Sequence, residues 1–407
     1  MAGFLSMEAV GTSSADAGHG RRPASEHLTS DIVRHVEGIG ALKADYEHLE
    51  RVTGNTLPFA LQEWHLAWCR QFLGRNPQIE EYPLFHVLRR DDGECVAIVP
   101  LILARRRLGP LGFTIVELIG ADAGLTEIRN PLVKPGYEQP TVRAVLASLA
   151  RVGDWDWTQW SGISGALAQA LAREASPRWE ARCADFVLDL PGSWAEFRHG
   201  LARNIRESLR HCYNSLKRDG RAFEFVVARE PAEVAQALDR FLVLHAQRAR
   251  AASGPPHPDR FAHRSAQAFL RDVCSSLAAR GAVRVFQLKI AAEIVASRIG
   301  FIVGDGIYMY YSGFDPAWAR YSVMTTTVAE ALRYAIANGL RTVNLSVTPE
   351  QSKLRWHPRR VDYHCALLPR EPLTSRLLCG AYRVSHAHQG AAAQLVKGLL
   401  WARRDCN

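Results

Sequence analysis

The segment RYSVMTTTVAEALRYAIANG, residues 320–339, puts an arginine and a cluster of hydroxyls at the head of a helical pattern. The first N–H groups of a helix lack intrahelical partners and the helix dipole makes that end positive, so such a start can hold a phosphate. Arg320 offers a bidentate contact, while Ser322, Thr325 and Thr326 offer hydroxyl donors. Phosphate-cradling turns usually carry glycines, whereas Val323 and Met324 stand here. A β-carbon still leaves an N–H reachable where φ stays negative and the side chain turns away. The alternative is a capped helix start. Ser322, or Thr327 with Glu330 as a capping box, would satisfy the free backbone groups. Met324, Val328, Leu332 and Ile336 would then be the buried stripe, and Gly339 the stop.

A second basic element is FRHGLARNIRESLRHCYNSLKRDG, residues 197–220. Leu201, Ile205, Leu209, Cys212 and Leu216 recur at helical spacing, with Arg203, Arg206, Arg210 and Lys217 on another face. That face is either a solvated charged surface or a clamp for phosphates.

These segments sit in a chain of 407 residues, 47% hydrophobic and 22% charged, the balance of a soluble globular protein. The length suggests two domains or one double domain. No apolar run is long enough to cross a bilayer, and the first residues lack a signal-peptide pattern, so a cytoplasmic location is expected. The formal charge of +9 suits an anionic partner such as a nucleotide cofactor, nucleic acid or an acidic membrane surface. The even spread of arginines assigns most of that charge to general composition. Eight cysteines fall singly with no C-x-x-C pair, which predicts reduced thiols and no metal site. His386 and His388 are too close along a helix to face one ion.

The elements that must position this chemistry repeat. Residues 1 to about 30 are rich in Ser, Gly and Ala without periodicity and are expected to be disordered. PFALQEWHLAWCRQFL, residues 58–73, is helical, with Phe59, Trp64, Trp68 and Phe72 as a core stripe. YPLFHVLRRDDGECVAIVPLILA reads as a hairpin hinged on Asp92-Gly93, and FTIVELIG as a third strand. The helix QPTVRAVLASLARVG and the strand DWDWTQWS follow. In the second half, the helices PAEVAQALDRFLVLHAQRARAA and SAQAFLRDVCSSLAAR lead into three strands, the helix of 320–339 and the strand RTVNLSV. VLRRDDGECVAIVPLIL also aligns with QLKIAAEIVASRIGFI. We therefore expect an α/β fold of two duplicated mixed-sheet units with the seam near Pro191-Gly192. The boundaries would be 31–190 and 191–370, with an amphipathic, basic tail at 371–407 that packs on the domain or meets a partner or membrane surface.

The order of elements, together with LHAQRARAASGPP, RFAHRSAQAFL and the run from YYSGFDPAWARYSVMTTT to EQSKLRW, resembles the GNAT-superfamily acyltransferases. Within them it is similar to the CelD-type proteins linked to cellulose and exopolysaccharide synthesis, and to the Fem-type aminoacyltransferases, over roughly residues 30–368. PFALQEWHLAW and the segment beginning LPGSWAEFRHG match the CelD-like pattern at the two domain entrances. The resemblance implies a tandem GNAT-like fold and transfer of an acyl group from acyl-coenzyme A to an amine or hydroxyl. It places the pantetheine between the strands 307–313 and 341–346, with the pyrophosphate at the head of the 320–339 helix. Arg320, Ser322, Thr325, Thr326, Arg206 and Arg210 become candidate donor-binding residues. The sequence departs from the family at this turn, where neither the paired glycines nor Ser-Pro-Gly occurs.

Acyl transfer needs a base for the nucleophile and donors for the developing oxyanion. His245, on the helix expected to line the acceptor side, is the candidate base, or else an ordinary helix histidine. Arg248 lies on the same helix face and suits an acidic acceptor. Arg298 interrupts an apolar strand and needs an ion pair with Glu293 or another acid, a phosphate or a wet cleft. Of Tyr308, Tyr310 and Tyr311, Tyr311 is the candidate acid for a leaving thiolate, and packing is the other reading. Lys353, in EQSKLRWHP, is carried over from the family as an electrostatic stabiliser, with Arg355 competing for the role and Trp356 as an anchor. The expected acceptor is a small molecule or a polysaccharide or envelope precursor. Rival readings are transfer from aminoacyl-tRNA and a non-catalytic scaffold in an envelope-synthesis complex.

Overall fold

A computed structural model describes residues 28–77, 79–108, 111–122, 124–251 and 257–387. The first unit opens with β1 (Thr29–Val33), α1 (Val36–Ala41), α2 (Lys43–Thr53) and α3 (Gln62–Phe72). It continues through β2 (Ile79–Arg89), β3 (Cys95–Leu108), β4 (Leu111–Leu118), β5 (Leu132–Val133), α4 (Glu138–Val152) and β6 (Trp157–Ile163). α5 (Gly165–Glu174), β7 (Arg178–Trp179) and β8 (Cys183–Asp189) complete its chain. The second unit runs α6 (Trp194–Gly200), α7 (Arg203–Arg218), β9 (Phe223–Ala228), α8 (Pro231–Ala249), α9 (Arg264–Ala279), β10 (Val283–Ile290), β11 (Glu293–Val303) and β12 (Gly306–Phe314). It ends with α10 (Val323–Ala337), β13 (Thr342–Val347), α11 (Gln351–Leu354), β14 (Arg359–Pro369) and α12 (Leu373–Ala387).

The strands form one mixed sheet in the order β1-β2-β3-β4-β6-β14-β8-β13-β12-β11-β10-β9. Each unit has three antiparallel strands followed, after a helix, by a parallel partner: β4 with β6, and β12 with β13. The duplication is thus present, and the strands at its seam are exchanged. β8, from the first unit's chain, pairs with β13. β14, from the second, pairs with β6 through its later residues and with β8 through its earlier ones. Exchange gives each parallel pair an antiparallel neighbour, so the sheet passes unbroken from one unit to the other.

The periodic patterns fold as their spacing requires. Trp64 and Trp68 are fully buried, in a core shared by α2, α3, α8 and α9. On the other face of the second unit's sheet, Ile205 and Leu209 of α7 pack with Val328, Leu332 and Ala335 of α10. Gly313 of β12 lets α8 come very close, since a β-carbon there would lie 2.3 Å from the His245 nitrogen. Residues 29 and 30, expected to be disordered, are instead strand, because β1 pairs with β2 from Thr29↔Arg89 to Val33↔Phe85. Residues 1–27 lie outside the described residues. Of the tail, α12 packs Cys379 and Tyr382 on Phe113, Ile115 and Trp157 of the first unit. Residues 388–407, including His388, lie outside the described residues. Among the described residues, no helix is long and apolar enough to cross a membrane.

Candidate active site

β12 and β13 pair in parallel over only three positions, Gly306↔Thr342, Ile307↔Val343 and Tyr308↔Asn344. Beyond them both strands become irregular. On β12, Tyr310 and Tyr311 bulge opposite Ile299, between the pairs Arg298↔Ser312 and Gly300↔Met309. On β13 the register with β8 breaks between Asn344 and Val347. Ser346 and Thr348 there adopt φ values of 73° and 76°, a left-handed conformation costly for residues with a β-carbon. Asn344 fixes this kink by accepting the Ser346 N–H (2.8 Å) and donating to Asp185 of β8 (2.6 Å). Burial pushes the Asp185 carboxyl up to about 6. The parted strands open into a cavity of about 520 Å³, reached by residues of α8, α10, β11 and α11. That is the size range of small-molecule sites.

One wall comes from the first unit. The segment after β4 crosses to β12, where three tyrosines hold it. Tyr311 donates to the Gly124 carbonyl, Tyr310 to the Leu125 carbonyl and Tyr308 to the Glu127 carboxylate. Asp122 stiffens the same segment by accepting the N–H groups of Gly124, Leu125 and Thr126. Glu127 faces the cavity and takes hydrogen bonds from Tyr308 (2.6 Å) and Ser346 (2.9 Å), one from each side of the parted strands. Loss of water raises its pKa, while Tyr308, Ser346, Lys353 and Arg298 pull it back.

Basic groups occupy the rest. Arg248, Arg260, Arg298 and Lys353 face the cavity, against the carboxylates of Glu127 and Glu350. The hydrogen bonds of Arg298, Arg248 and Lys353 run to neutral oxygens: Met309 O, Ser312 Oγ and Val347 O. Burial, with Arg298 nearby, lowers Lys353 to about 8, and burial with Arg248 nearby lowers Arg298 to about 10. The Arg298 Nε and the His257 Nε2 are buried without a hydrogen-bond partner. Burial also lowers His257 to about 4, so it is neutral near pH 7 and adds no charge. With four cations against two carboxylates, the cavity favours an anion. Glu293, weighed as a partner for Arg298, is exposed at the far end of β11.

The sequence-derived site residues divide clearly. Lys353, Arg248, Arg298, Tyr311 and Thr325 line the cavity together. His245 is fully buried behind it. Its Nδ1 bonds the Ser312 carbonyl (3.0 Å) and its Nε2 accepts the Arg260 N–H (3.3 Å), leaving no free lone pair for a base. Burial of the Tyr311 phenol raises its pKa far above its usual value, and the hydroxyl anchors the Gly124 segment. Arg320 is 71% exposed, on a 3-10 turn at Pro316–Tyr321, and meets Tyr321 and Asp219 instead of the cavity. Thr326 is fully buried in the helix–sheet interface.

The helix start also differs from expectation. Ser322 is left-handed at φ 53°, the conformation a glycine would supply, and makes no side-chain cap. Thr327 bonds back to the Val323 carbonyl (2.8 Å), so no capping box forms with Glu330. Arg206 reaches the His199 and Leu201 carbonyls at the end of α6, and Arg210 is exposed on α7. The cation at the head of α10 is Arg355, which bridges Ser208 of α7 (2.7 Å) and Thr325 (3.5 Å). The backbone turn and Arg355 together fit an anionic group at this helix start.

With this geometry in view, comparison with known proteins identifies the architecture. A family model described as an acetyltransferase (GNAT) domain matches residues 203–354, from the first residue of α7 to the last of α11. The mixed sheet of two duplicated sheet–helix units is a fold shared with solved structures over most of the chain. FemX is similar at a TM-score of 0.58 and 11% identity, over 82% of this chain and 98% of its own. The C-terminal domain of a putative lysylphosphatidylglycerol synthetase from Agrobacterium fabrum is similar at 0.50 and 13% identity, over 87% and 99%. A conserved protein of unknown function from Bacteroides thetaiotaomicron matches at 0.51 and 12%, over 83% and 100%. No curated protein matches the sequence significantly. At these identities the likeness is one of fold, with an acyltransferase-like architecture in the second unit.

Among the described residues, no three His, Cys, Asp or Glu side chains gather in a way that could hold a metal. The seven cysteines among them are free thiols.

Proposed function

We propose that the chain transfers an acyl group from acyl-coenzyme A to an amine or hydroxyl of an acceptor that carries an anionic group. The observation that carries this reading is the gap between β12 and β13, opening beside the head of α10 onto cations bonded to neutral oxygens. The thioester supplies an activated acyl group when bound. Arg355 and the start of α10 would hold the donor phosphates, and Arg248 and Arg298 the anionic group of the acceptor. Lys353, protonated below about 8, would stabilise the oxyanion that develops on the thioester carbonyl. The unit of residues 191–370 would be catalytic and the unit of 31–190 would support it. A charged glycan or other envelope precursor suits the cavity, and the cytoplasm is where such a donor is available.

The test combines thermal unfolding and thiol release across a panel of acyl-coenzyme A species. A ligand of the native state must raise apparent stability. One member of the panel should do so and should release thiol when anionic amine or hydroxyl acceptors are supplied. No shift with any member would overturn the reading.

A second reading uses aminoacyl-tRNA as donor, and the exposed Arg203, Arg210 and Lys217 of α7 favour it. It requires RNA binding that weakens steeply with salt. Salt-independent binding, or none, removes it.

A further inference from the structure

We propose that Glu127, a residue of the first unit, is the catalytic base for the acceptor bound in the second. The inference rests on the acyl-transfer reading above and deepens it. Of the two carboxylates lining the cavity, Glu350 is exposed at its mouth, beside α11. Glu127 lies where β12 and β13 part, held by Tyr308 from one strand and Ser346 from the other. The segment that carries it is held by hydrogen bonds of its own. Asp122 binds three consecutive N–H groups, Thr126 Oγ1 donates to Asp122 (2.7 Å) and Trp64 Nε1 donates to Thr126 (3.0 Å). Two further tyrosines clamp the carbonyls just before it.

His245, the base suggested by sequence, has both nitrogens engaged, and His257 sits among cations that favour its neutral, weakly basic form. Glu127 is thus the proton acceptor in reach of the cavity. Two aspects of its setting match the task. Partial burial makes the carboxylate more basic than one in water. Tyr308 and Ser346 donate to the charged form, and Lys353, Arg298 and Arg248 face it across the cavity with Arg260 and Glu350. Tyr308, Ser346, Lys353 and Arg298 favour its ionised form, the form a base needs.

The step balances. The acceptor N–H or O–H gives its proton to Glu127 as its lone pair forms a bond to the thioester carbonyl carbon. The carbon–sulfur bond then breaks with its electron pair on sulfur, and the proton passes from Glu127 to the thiolate. The first unit therefore supplies a reacting group, and the exchanged strands β8 and β14 hold it in register with the second.

The test uses the full chain, with acetyl-coenzyme A as donor probe and water as the acceptor when no better one is in hand. Glu127→Gln keeps the shape and the hydrogen bonds, so coenzyme A binding by calorimetry should stay within about threefold. Thiol release should fall at least about 100-fold, the usual contribution of a general base. Glu127→Asp should restore part of it. In the wild type, release should rise with pH through the Glu127 titration. Tyr308→Phe removes a donor to the anion, so that rise must move to higher pH. A readout independent of turnover is the carbon-13 carboxyl titration of labelled glutamate, assigned by its absence in Glu127→Gln. It should have its midpoint above that of an ordinary glutamate and move up in Tyr308→Phe. Near-wild-type release by Glu127→Gln with an unchanged pH profile would overturn the proposal. So would an ordinary carboxyl midpoint that Tyr308→Phe leaves unmoved. A wild type that binds no acyl-coenzyme A overturns the underlying reading, a failure distinguishable because the carboxyl titration is unaffected by it.

Discussion

The two units carry the same parallel strand pair, and they treat it in opposite ways. In the first, Ile115↔Trp157, Val116↔Thr158 and Glu117↔Gln159 pair in register, and the gap beyond is closed. Gly162 of β6, at φ 75°, lies so close to the returning chain that a β-carbon would sit 2.8 Å from the Arg129 nitrogen. The buried Glu117 has Arg106 at 3.5 Å and Arg129 at 3.9 Å, and Gln159 accepts the Tyr382 hydroxyl of α12. In the second unit the matching gap stays open, and Arg298, Arg248 and Lys353 donate to neutral oxygens there. Charge is matched internally where the fold is sealed. Where the fold is open, Arg298, Arg248 and Lys353 donate to neutral oxygens beside the Glu127 and Glu350 carboxylates. The segment that carries Glu127 to the second gap goes on directly to Ile128 and Arg129 at the first, so one connection serves both.

The largest effect that would sharpen this contrast is on turnover. Lys353→Met removes the charge and keeps the stem, so acyl transfer should fall on the order of 100-fold with coenzyme A affinity near normal. The pH dependence follows from its lowered pKa. Transfer relying on the charged amine declines as pH rises through about 8, and that decline should be absent in Lys353→Met. For stability, the unfolded chain binds this proton up to a higher pH than the folded one. Stability therefore rises between about 8 and the ordinary lysine value, and below that window the buried charge is a cost. Lys353→Met should not lower the melting temperature at pH 7. Full turnover by the mutant would make the second gap as inert as the first.

A smaller effect separates the two arginines at the head of α10. Arg355→Met should weaken coenzyme A binding by about tenfold or more, through loss of a charge-assisted contact. Arg320→Ala, at an exposed position with its own partners, should change it by less than about twofold. Equal losses in calorimetry would mean that the helix start is approached from the Arg320 side.

The smallest effect lies in the sealed unit. Gly162→Ala strains a left-handed position and presses on the Arg129 backbone, at a cost of about 1–3 kcal/mol in denaturant unfolding. Coenzyme A affinity per folded molecule should be nearly unchanged. A loss of affinity matching the loss of stability would show that a donor occupies the first unit.

The sequence carried much of this. Hydrophobic periodicity reports which face of an element is buried, so the helix stripes, the hairpin at Asp92-Gly93 and the order of elements were legible. Arg298, alone in an apolar strand, announced a buried cation, and Lys353 and Arg248 reached the same cavity. Lateral partners are not written in periodicity. Glu127 lies in an aperiodic segment, and its partners Tyr308 and Ser346 are 181 and 219 residues away. The exchange of β8 and β14 is invisible for the same reason, since either neighbour would satisfy an apolar strand. At the head of α10, chain proximity pointed to Arg320, while Arg355 arrives from 30 residues beyond Thr325. The cap failed because Ser322 took a backbone conformation in which its hydroxyl does not reach the helix.

Whether one gap of the two binds the donor is read most directly by hydrogen exchange and calorimetry with and without coenzyme A. One equivalent should bind per chain, with slower exchange in residues 306–312, 322–328 and 345–353. Residues 115–119 and 157–163 of the first unit should be unchanged. Two equivalents, or protection centred on 115–119 and 157–163, would contradict it.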